Sequence, residues 1–103
     1  MGPIETLIHQ KIQAKYNPDL LDIENESNRH SAPLGTESHF KIVCVSDEFS
    51  DISRIQRSRD IHELLSEEIS QIHAISLKLF TSIEWQNLKN KDILLSPNCK
   101  SKQ

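Results

Sequence analysis

At 103 residues the chain has the size of one domain. Its 36% apolar and 26% charged residues supply a two-layer core but not a deeply buried cofactor cavity. A net charge of −3 argues against general nucleic-acid binding, which rests on neutralising phosphates, and no stretch approaches the roughly 20 apolar residues of a membrane span.

Pro3 followed by Ile4, Leu7, Ile8 and Ile12 gives the spacing of an amphipathic helix, with proline at its favoured first position. Asn17-Pro18 ends it. Leu21, Ile23 and Asn25 alternate with polar residues and predict a strand. The segment Asn25–Phe40 then carries two histidines, two glutamates, a proline and a glycine, and reads as a long loop. Long ordered loops between short elements are usually functional, and histidines on them are candidate metal ligands or pH switches. His39–Ser46 is rich in β-branched and aromatic residues and predicts a second strand.

Asp47–Ser53 is a polar turn. Ser53 with Gln56 has the spacing of a capping box, leading into a helix whose Ile61, Leu64, Leu65 and Ile69 form one stripe. His73–Phe80 predicts a third strand with His73, Ile75, Leu77 and Leu79 on one face. Thr81 and Glu84 form a second capping box, opening a short helix with Trp85 and Leu88. From Asn90 the chain turns polar, which predicts a domain over residues 1–89 and a flexible tail over 90–103. The α-β-β-α-β-α order predicts a two-layer α+β fold, a small three-stranded mixed sheet with helices on one face. The second and third strands, joined through a helix, should run parallel by a right-handed crossover.

That topology places the starts of the second and third strands at one end of the sheet. His39 and His73 begin those strands, and the loop bearing His30 leads into the first of them. The three imidazoles are therefore expected to gather at one rim, as an incomplete metal site open to a partner. Glu26 and Glu37 read as solvated loop acids, since nucleophile and oxyanion-hole signatures are lacking and no enzyme is expected. Arg54, Arg57 and Arg59 at the start of the central helix are the candidate nucleic-acid or acidic-partner contacts, opposed by Asp47, Glu48, Asp51 and Asp60 nearby. No G-x-x-G is present to clamp single-stranded RNA. His9 and His62 read as surface residues, Trp85 as core. Cys44, in an apolar run, reads as a small buried hydrophobe. With Cys99 in the polar tail and no C-x-x-C, a reducing intracellular compartment fits better than a disulfide scaffold. Met1–Leu20 lacks an apolar signal core and carries Glu5, so no cleavable leader is expected.

Asn25-Glu26-Ser27, His30, Pro33, Gly35, Glu37-Ser38-His39-Phe40, Phe49, Gln56-Arg57-x-Arg59, His73-Ala74 and Glu84-Trp85, taken in order, resemble the BolA-like proteins. The likeness runs from about Pro3 to Cys99, and Ser96-Pro97-Asn98-Cys99 is similar to the Ser-Pro-Pro-Cys ending of bacterial members and of the eukaryotic subgroup whose loop ligand is histidine. The resemblance implies a class II KH-like fold and a heterodimer with a monothiol, CGFS-type glutaredoxin in iron–sulfur cluster assembly and iron homeostasis. It implies a glutathione-ligated 2Fe–2S cluster shared through His30 and His73, with His39 a further candidate and His73, Ala74 and Trp85 on the docking face. On that reading the isolated chain is a monomer that holds no cofactor, and it works in the cytosol or mitochondria, off the membrane. Some members are thought to bind DNA through the turn and central helix. Here the family's turn glycine is Asp51 and its histidine between two arginines is Ser58, departures that weaken the alternative reading of a nucleic-acid-binding transcriptional regulator.

Overall fold

A computed structural model describes residues 2–27, 33 and 35–95. Helix α1 runs over Pro3–Tyr16 and stops at Asn17, whose φ of 41° is left-handed and whose N–H donates to Gln13 O. Strands β1 (Leu20–Asn25) and β2 (His39–Val45) pair antiparallel, with Leu21 opposite Cys44 and Asn25 opposite Phe40. Helix α2 (Arg54–Leu64) and the single turn α3 (Ser66–Ile69) carry the chain across to β3 (Ala74–Phe80). That strand lies parallel to β2, in the order β1-β2-β3. This is the expected mixed sheet. The predicted central helix breaks into two at Leu65, yet its stripe holds, with Ile61 and Leu65 fully buried and Leu64 and Ile69 packed beside them.

Period two along each strand sorts the side chains onto two faces. Phe40, Ile42, Cys44 and Leu79 join Ile8, Ile12, Tyr16, Phe49, Ile61 and Leu65 in the main core, between the sheet and helices α1 and α2. Val43, Val45 and Phe80 point to the other face and meet Leu95, with Leu20, Trp85, Leu88 and Leu94 around them. The chain after Asn90 therefore departs from the predicted tail, through the apolar triplet Ile93-Leu94-Leu95. Lys91–Ile93 form a 3-10 turn and Leu95 is buried, because one end of the second sheet face is apolar and needs a cover. The remainder of the predicted tail, 96–103, lies outside the described residues. Among the described residues no helix is long and apolar enough to cross a membrane.

Candidate functional site

The predicted convergence at the sheet rim holds for His39 and His73. Their ring centroids are 5.1 Å apart, tilted at 44°. His73 sits one residue before β3 and is exposed, while His39 is half-buried at the first position of β2. One carbonyl fixes this geometry. Ser38 O accepts from His73 N at 2.8 Å and from Ala74 N at 3.1 Å, so the backbone itself delivers residue 73 to the rim. The Ser38 hydroxyl lies 2.8 Å from His39 Nδ1. His30, the third candidate, lies outside the described residues. Among the described residues no group of three His, Cys, Asp or Glu side chains is placed to hold a metal ion.

The feet of the loop are tied by a network that the sequence reading missed. Ser27 is 1% exposed, and its hydroxyl accepts from Ser38 N at 2.8 Å and His39 N at 3.2 Å while donating to Asn25 Oδ1 at 2.6 Å. Asn25 Nδ2 donates to Thr36 O at 2.9 Å, and Glu26 N donates to His39 O at 2.7 Å. Glu37 is not a solvated loop acid. Its carboxylate accepts from Ile4 N at 3.1 Å and Glu5 N at 2.9 Å, capping the N-terminus of α1 where orphan N–H groups and the helix dipole favour an anion. A side chain at Gly2 would collide with that carboxylate. Burial pushes the nearby Glu5 carboxyl upward, and the charge of Glu37 adds to it. The Asn-Glu-Ser and Glu-Ser-His-Phe segments thus brace the two loop feet against each other and against α1. The signal was the pairing of short polar runs on either side of one loop.

The arginine cluster does not act as a unit. Arg57 is 5% exposed and lies inside the fold. Its Nη1 and Nη2 donate to the two Glu84 carboxylate oxygens at 2.6 and 3.2 Å, Nε donates to Ile52 O at 2.8 Å, and Nη1 also reaches Leu79 O at 3.2 Å. The guanidinium lies 5.7 Å from the Phe49 ring centroid. A planar fork so engaged has nothing to offer a phosphate, so Arg57 leaves the nucleic-acid candidates. Only Arg54 and Arg59 remain exposed. Glu84 is lowered to about 2, first by the hydrogen bond from Arg57 and then by that from Thr81 N. Thr81 and Glu84 close the expected capping box in both directions. Ser53 caps α2, but Gln56 turns to Asp60 and leaves that box half-made. Asp51, standing where the resemblance has glycine, takes a left-handed φ of 64°.

Cys44 is fully buried, and burial pushes its thiol up to about 12, which keeps it protonated and unreactive; Cys99 lies outside the described residues. Trp85 is half-buried, its ring 5.6 Å from that of Phe80. Strand parity puts Ala74 and Phe80 on the same sheet face, so the candidate docking residues Ala74 and Trp85 share a side, at opposite ends of a strand about 20 Å long.

The BolA-like protein family matches residues 12–84. The chain belongs to this family. It is 45% identical over 97 residues to the DNA-binding transcriptional regulator BolA of Haemophilus influenzae, covering 93% of both chains. The solution structure of BolA1 from Mus musculus superposes with a TM-score of 0.76 at 36% identity, over 96% of this chain and 80% of that one. The BolA domain of SufE1 from Arabidopsis thaliana gives 0.74 at 33% identity, over 82% and 98%. The fold is that of the BolA domains, as the resemblance implied. These relatives are named as a regulator or as BolA proteins and not as enzymes.

Proposed function

We propose that this BolA-like chain is a non-enzymatic adaptor in iron–sulfur cluster assembly and iron homeostasis, sharing a glutathione-ligated 2Fe–2S cluster with a monothiol glutaredoxin. The observation that carries the reading is the exposed His73 beside His39, at the start of the strand that the His30-bearing segment precedes in sequence. A 2Fe–2S cluster takes four protein or thiol ligands. The described residues bring to this rim one exposed imidazole, His73, with His39 behind it and no thiolate, His30 being the second ligand of the proposed half-set. Such a half-set suits a cargo handed over by a partner. His73 and His30 supply two ligands, a glutaredoxin cysteine and glutathione the others. His39, engaged through Nδ1 with the Ser38 hydroxyl, backs His73. Two imidazole ligands raise the reduction potential above that of an all-thiolate cluster and make its retention proton-sensitive, because a ligating imidazole is neutral. The heterodimer docks at the rim of His73 and on the sheet side shared by Ala74 and Trp85, in the cytosol or mitochondria.

The test mixes the chain with a monothiol glutaredoxin, glutathione, iron and sulfide, and records visible absorption, dichroism and iron content. His73→Ala is expected to abolish the cluster bands and His30→Ala to make them labile. Wild-type spectra and iron content in both variants would refute the ligand assignment. Because His73 is exposed and makes only backbone hydrogen bonds among the described residues, His73→Ala should shift unfolding by less than about 0.5 kcal/mol.

The name of the Haemophilus influenzae relative supports a second reading, a DNA-binding regulator using Arg54 and Arg59. A steep salt dependence of DNA affinity, lost in Arg54→Ala with Arg59→Ala, is its signature.

A further inference from the structure

Strand β3 lies at the edge of the sheet, and its ladder to β2 has a definite parity. Ala74 N donates to Ser38 O and Phe80 O accepts from Ser46 N, so residues 74, 76, 78 and 80 turn their backbone groups toward β2. The backbone groups of Ile75, Leu77 and Leu79 therefore point outward. Arg57 Nη1 takes the carbonyl of Leu79 at 3.2 Å. The N–H and C=O of Ile75 and Leu77, and the N–H of Leu79, have no protein partner among the described residues. An edge of this kind is a template for another strand unless it is covered or guarded.

The flank of α2 shapes the space beside that edge. Arg54 and Ser58 line one groove with Leu77–Phe80, and it continues past Ile55, Arg59 and His62. Ile55 is 67% exposed, an apolar side chain left on the groove wall. Arg54, Arg59 and Lys78 are exposed and form no ion pair among the described residues, and no carboxylate lines the groove. On a chain of net charge −3 this is a local reversal of sign.

We propose that the outer edge of β3 and the flank of α2 receive an extended acidic segment of a partner protein, added to the sheet as a fourth strand. Alternating donors and acceptors at strand spacing match another peptide backbone. The three cations select carboxylates, and Ile55 accepts a branched apolar side chain among them. Single-stranded nucleic acid fits less well. Of the two rings that line the groove, Phe80 is buried with its centroid 5.9 Å from the Arg54 guanidinium, which leaves the lone imidazole of His62 and no platform for successive bases.

The probe is a short capped peptide alternating glutamate with valine, titrated into the full chain and followed by amide resonances. Downfield shifts and slowed exchange are expected at the amides of Ile75, Leu77 and Leu79. Two further peptides carry N-methyl groups on one or the other alternate set of amides. One set should weaken binding about tenfold or more, since it deletes strand hydrogen bonds, and the other should leave it unchanged. Arg54→Glu and Lys78→Glu should each weaken it several-fold. Leu77→Pro removes an outward N–H while sparing the ladder to β2, and should abolish the interaction; if it unfolds the chain, the methylated peptides decide alone. Equal binding of both methylated peptides, unshifted β3 amides, or displacement of the peptide by oligothymidylate at higher affinity would overturn the proposal.

Discussion

The two ends of β3 hold similar polar inventories to opposite effect. At its C-terminal end Arg57, Glu84, Thr81 and the carbonyls of Ile52 and Leu79 satisfy one another, with Arg57 buried. At its N-terminal end one carbonyl holds the backbone, and His73 stands exposed beside the half-buried His39. The first arrangement spends its polar groups on the fold, and the second presents them outward. Charged residues in a sequence do not announce which they will be. What separates Arg57 from Arg54 and Arg59 is a carboxylate 27 positions away.

Breaking the closed end should therefore cost most. Arg57→Ala leaves the carbonyls of Ile52 and Leu79 without this donor and Glu84 with Thr81 N alone, and is expected to destabilise by about 2–3 kcal/mol in urea unfolding. The contrast fails if Arg57→Ala proves as mild as Arg54→Ala. Acid should act on the same end. Glu84 falls from 4.5 to about 2 on folding, so its contribution is complete above pH 4.5 and disappears as pH drops from there toward 2. Urea midpoints at pH 5.5 and pH 3 should diverge in the wild type and diverge less in Arg57→Ala.

The open end is sharpened by a smaller change beneath it. Ser27→Ala strands two backbone N–H groups and is expected to cost about 2 kcal/mol. It should also broaden the ring resonances of His39 and His73, which a purely local loss would leave sharp. Least in size, Asp51→Gly relieves a left-handed backbone and should raise stability by about 0.5 kcal/mol, with neither end of β3 disturbed.

Local chemistry made most of the fold readable from the sequence. Pro3, Asn17, Ser53 and the Thr81–Glu84 pair mark helix ends through contacts within a few residues, and strand alternation put Ile75, Leu77 and Leu79 on one face. Topology then predicted the meeting of His39 and His73, because parallel strands start at the same end of a sheet. The unread parts all depend on distant partners. Glu37 resembles any loop acid until α1 is folded 33 positions upstream of it. Leu95 ends the apolar triplet Ile93-Leu94-Leu95 in an otherwise polar C-terminal stretch, and what that triplet covers is set by distant residues, Val43, Val45 and Phe80 on the second sheet face.

The double acceptor at Ser38 has one more consequence. Since main-chain atoms alone aim position 73, the group mounted there is interchangeable: a thiol, a carboxylate or an amide would be held out from the same spot. On the proposed role of residue 73 as a ligand, metal preference would be adjustable by a single codon, with hard, borderline or soft donors swapped on an unchanged bracket.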